Sequence, residues 1–132
     1  MKKGEYLTME SVNINIAYQV RTALMENIET QNALRGLQET TIDLFFRNDE
    51  LQKVSFDDVC YNLIGNSFDD EFEGVPTHVY KNLCTMIFNE IKELKMDLNY
   101  RSIVIGWKYD ASSEAFTDTS MIVRKEVHFS RM

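Results

Sequence analysis

The stretch from Pro76 to Lys95, PTHVYKNLCTMIFNEIKELK, constrains the fold more than any other part of this chain. Val79, Tyr80, Leu83, Ile87, Ile91 and Leu94 recur at three- and four-residue steps, so on a helix they share one face. Lys81, Asn82, Asn89, Lys92 and Glu93 fall mostly on the opposite side. The pattern predicts an amphipathic helix of about five turns, whose apolar stripe needs a second layer to cover it. Gly74 and Pro76 stop whatever precedes it, and Thr77 or Gly74 is the candidate cap.

A second helical pattern starts at Glu10, where Val12, Ile16, Val20, Leu24 and Ile28 are spaced by four. It predicts a helix over 10–30 that runs on through Ala33, Leu34 and Leu37 or stops at Gly36. The eight residues before it read as a flexible N-terminus, and 9–132 as a single domain. At 132 residues the chain is long enough to bury roughly two-thirds of the surface exposed when unfolded.

Strand signals are of period two. In 40–47 Ile42, Leu44 and Phe46 alternate with Asp43 and Arg47, and Asn48-Asp49-Glu50 turns the chain. In 101–110 Ile103, Ile105, Trp107 and Tyr109 face inward, with Trp107 and Tyr109 as core residues or interface anchors. After a polar connection over 111–116, a returning strand over 121–129 places Met121, Val123, Val127 and Phe129 on one face.

The segment 55–65 has a helical pattern in Phe56, Val59, Cys60, Leu63 and Ile64, with Ser55 as cap and Gly65 as stop. A competing strand over 52–56 would pair back on 40–47. With the helix, the element order is α-β-α-α-β-β. The fold class is then α+β: one small antiparallel sheet of about three strands with helices on one face. Such a sheet has exposed edges, and its last strand is a place where two copies could pair as a homodimer.

The net charge of −7 has an address. Eight carboxylates between Asp49 and Gly74 stand against the single Lys53, while acids and bases balance over the remainder. A field of that sign repels nucleic acid and anionic lipid and draws basic partners. The candidate partner-binding residues are therefore Asp57, Asp58, Phe68, Asp69, Asp70, Glu71, Phe72 and Glu73. In the functional reading the carboxylates steer Phe68 and Phe72 toward a basic, greasy groove. In the plain one both rings fold inward, and Glu71 and Glu73 favour the positive end of the following helix.

Other chemistry finds little support. Cys60 follows two aspartates, which raise a thiol's pKa, and Cys84 sits mid-helix on an apolar stripe, so neither looks like a nucleophile. Both read as reduced, buried thiols of a cytoplasmic protein. His78 and His128 belong to no metal-ligand spacing, and the run Asp69-Asp70-Glu71-Phe72-Glu73 lacks the alternation of a calcium loop. The five glycines are isolated, so there is no phosphate loop, and the bases do not cluster. No cofactor or metal is expected. With no apolar run of membrane-spanning length and no secretory leader, no membrane association is expected either.

These features fit a small acidic, non-enzymatic protein that occupies a basic surface of a partner. Inhibitors, immunity proteins, antitoxins and phage-encoded antagonists work in this way. The alternatives are a structural or chaperone-like homodimer, and a small enzyme or ligand sensor with an unrecognised pocket.

Overall fold

The computed structural model describes residues 9–58 and 72–127 together with positions 63 and 129. Two helices, α1 (Met9–Met25) and α2 (Ile28–Arg35), lead into the hairpin β1 (Glu39–Arg47) and β2 (Glu50–Ser55). Then come α3 (Thr77–Lys92) and a second hairpin, β3 (Arg101–Asp110) and β4 (Ala115–Lys125). The four strands form one antiparallel sheet in the order β2-β1-β3-β4. The class is α+β, with the helices packed against the sheet.

The alternation read from the sequence decides which strand face is covered. Ile42, Leu44 and Phe46 of β1 and Ile103, Ile105, Trp107 and Tyr109 of β3 join one core cluster with Ile16, Val20 and Leu24 of α1. From α3 that cluster takes Tyr80, Leu83, Cys84, Ile87 and Ile91, most of the expected stripe. Full burial of a side chain of this size contributes about 1.5–3 kcal/mol, so this layer contact is the main stabilising term.

The helix pair carries its own polar fastenings. An α-helix leaves its last carbonyls without internal partners. The Asn13 amide of α1 donates to Leu94 O and Met96 O, 2.8 and 2.9 Å away, just past the end of α3. In return the Tyr80 hydroxyl of α3 donates to Leu24 O near the end of α1, at 2.6 Å. Burial pushes the Tyr80 hydroxyl well above its ordinary pKa, so it remains a donor at every physiological pH. Glu10 in the first turn of α1 pairs with Lys95 at the same junction as Asn13.

Several expectations are corrected. The order is α-α-β-β-α-β-β, with four strands where three were expected. Residues 50–55 form an edge strand paired back on β1, as the competing reading over 52–56 had it, so Ser55 ends a strand. Asn48 and Asp49 both take left-handed φ values (56° and 59°), the conformation of the tight turn that folds a strand back on itself. Of the expected helix, 59–62, 64 and 65 lie outside the described residues.

The first helix breaks after Met25. Asn27 takes an extended conformation and accepts from Thr30 N at 3.0 Å, starting α2 as a separate helix that ends, as one of the two readings had it, at Gly36. The start of α3 has no side-chain cap: Pro76 stands at the N-cap, and neither Thr77 nor Gly74 closes it. Gly74 serves another purpose. Its φ of 103° turns the chain so that Val75 N donates to Arg35 O at 2.7 Å and Arg35 Nε to Val75 O at 2.8 Å. β4 runs from 115 to 125, so Val127 and Phe129 lie beyond it and are exposed, while Met121 and Val123 pack on the core as expected. The segment 1–8 lies outside the described residues.

Candidate functional site

The other face of the sheet contributes nothing to the core cluster. Strand register sets its side chains in rows: Thr41, Gly106 and Ser120 lie abreast, as do Asp43, Val104 and Ile122, and then Phe45, Ser102 and Arg124. A short apolar centre of Phe45, Val104 and Ile122 is thus ringed by polar groups, and Asp43 reaches Arg124 across β3 at 3.9 Å.

One end of this face holds a hollow of about 370 Å³, lined by Glu39, Thr41, Asp57, Gly106, Lys108, Asp118 and Ser120 among others. Gly106 forms its floor. A Cβ there would stand 3.4 Å from Ser120 Oγ, so the missing side chain is what leaves the depression open. Lys108 lies between Glu39 on β1 and Asp118 on β4 by register, which leaves three carboxylates around one ammonium. All four charged residues are exposed. Just beyond, Asp110 accepts from the Ser112 and Ser113 hydroxyls at 2.8 and 2.9 Å, and these bonds hold its carboxyl below the usual carboxylate range.

The predicted site residues divide. Asp57 lines the hollow and the exposed Asp58 follows it in the chain, so β2 delivers both to the acidic end of the sheet. Phe72 is half-buried on the core, its ring centroid 6.1 Å from that of Tyr109, which is the inward-folded reading for that ring. Glu73 beside it is exposed. Phe68, Asp69, Asp70 and Glu71 lie outside the described residues. Trp107 and Tyr109 are both buried and pack edge-on against Phe116, so they are core residues.

Glu39, Lys108 and Asp118 were not picked out from the sequence. The outward phase of each strand holds the signal for their exposure, but only the strand order brings them together. Among the described residues no group of three His, Cys, Asp or Glu side chains is placed to hold a metal ion. Cys84 is buried, and burial pushes its thiol up to about 11, so it is a poor nucleophile. Cys60 and His128 lie outside the described residues, and the exposed His78, in the first turn of α3, does not line the hollow. No described helix is long and apolar enough to cross a membrane.

No protein-family model, curated protein or solved structure matches the chain.

Proposed function

We propose that this chain is a non-enzymatic cytoplasmic protein that binds a basic surface of a partner protein through the acidic end of its open sheet face. The observation that supports the reading is the convergence of Glu39, Asp57 and Asp118, from separate strands or their ends, around an open hollow. Asp58, next to Asp57 in the chain, and Glu73 are exposed carboxylates as well. Exposed carboxylates on a rigid sheet attract a cationic partner at long range and repel phosphate, so nucleic acid and anionic membranes are disfavoured as partners. Among the described residues the hollow is lined by no histidine or cysteine, which favours binding over thiol or imidazole nucleophilic chemistry.

The test is a charge reversal that leaves the strand edge untouched, E39K/D57K/E73K, compared with wild type in affinity capture from the native host. The expected result is a partner retained at low salt and released as ionic strength shortens the screening length below about 10 Å. The triple variant should lose that partner while its circular dichroism stays that of the wild type. A partner held equally by both proteins, at all salt concentrations, overturns the reading.

A further inference from the structure

The two edges of the sheet differ. β2 is a six-residue strand, bulged against β1 at Phe45/Phe46 and carrying Lys53, features that blunt an edge against pairing. β4 is eleven residues long, and beyond the irregularity at Lys108/Tyr109 its ladder with β3 runs without interruption from Asp118 to Lys125. Among the described residues no strand pairs with its outer side.

We propose that β4 is a homodimerisation edge, pairing antiparallel with β4 of a second copy about a twofold axis at Met121. Two copies related by an axis normal to the sheet keep the same faces together, so residues that pair must share a face. On the open face β4 presents Asp118, Ser120, Ile122 and Arg124. Centring the axis on Met121 sets Asp118 opposite Arg124 of the second copy, and Arg124 opposite its Asp118. Ser120 then faces Ile122, and Thr119 faces Val123 on the covered side. Moving the centre to Ile122 sets Asp118 against Glu126, two like charges. Moving it to Ser120 removes both ion pairs. Opposite charges directly across a strand pair stabilise it and like charges destabilise it, so the sequence of β4 is self-complementary in one register. The product is one sheet of eight strands, four from each copy. This inference does not depend on the acidic partner-binding reading, and the E39K/D57K/E73K variant leaves it untouched.

Sedimentation velocity across micromolar to sub-millimolar concentrations tests it. Wild type should show a concentration-dependent dimer. D118R and R124D should each raise the dissociation constant by about tenfold or more, since each removes two cross-strand pairs and sets like charges face to face. The double exchange D118R/R124D, which restores opposite charges in the same register, should restore dimerisation. Should a single variant fold poorly, amide exchange on wild type reads the same contact: outward-pointing β4 amides should gain protection as concentration rises. A wild type that is monomeric throughout, a dimer indifferent to both single changes, or a double exchange that stays monomeric overturns the proposal.

Discussion

The two faces of the sheet are built from the same strands and behave as different materials. Toward the helices, Ile42, Leu44, Phe46 and Ile103 are each 0% exposed, and the face is continuous with the helical core. On the other side Thr41, Lys108, Asp118, Ser120 and Ile122 stand exposed around a glycine-floored hollow. Along β1 each step of one residue crosses from one regime to the other, whereas the central strand β3 is buried on both faces over 102–105. The lesson is that stability and recognition are separated here by parity and not by position in the chain.

The strongest way to break this comparison is substitution on the covered face. Leu44→Ala should cost about 2–5 kcal/mol, the range for deleting a fully buried leucine side chain, while Thr41→Ala, three positions away on the open face, should stay within about 0.5 kcal/mol. Denaturant unfolding of both variants measures the contrast, and equal losses would mean that the open face is covered.

The helix layer offers the next effect. Tyr80→Phe removes the donor to Leu24 O and leaves a buried carbonyl without that bond, at an expected cost of about 1–3 kcal/mol with the volume nearly unchanged. A melting temperature equal to wild type would show that the bond contributes nothing net.

The smallest effect sharpens the comparison at the turn between β3 and β4. The folded pKa of Asp110 is depressed by its serine hydrogen bonds, so its contribution is present above the unfolded value of about 3.8. It is lost as pH falls through the lower, folded value. The stability difference between wild type and Asp110→Asn should therefore be constant near neutrality and shrink in acid below about pH 4. A difference that grows on acidification would reverse the sign and defeat the assignment.

Much of this architecture was legible because periodicity is a strong signal where a residue row is buried from end to end. The stripe of α3 and the alternation of β3 are such rows. The strand over 52–56 is the weaker of the two readings in the sequence because an edge strand buries little: only Leu51 and Val54 turn toward the core, both partly, and the bulge disturbs their phase. The site was half legible. Asp57 and Asp58 announce themselves as an acidic pair, whereas Glu39 and Asp118 look like ordinary solvated strand residues until β3 is placed between their strands. Nothing local in a sequence encodes that adjacency.

The reciprocal fastening of α1 and α3 has a mechanical consequence. Asn13 grips the chain at one end of the antiparallel pair and Tyr80 at the other, so both bonds are loaded together when one helix slides along its neighbour. A slip of one residue, about 1.5 Å along the axis, takes the donors and acceptors of these contacts out of their present alignment. Apolar side chains alone would resist such sliding softly, since one greasy contact can replace another. The pair instead acts as a gauge of its own length: residues can be added in the loops outside the two grips, but not between them.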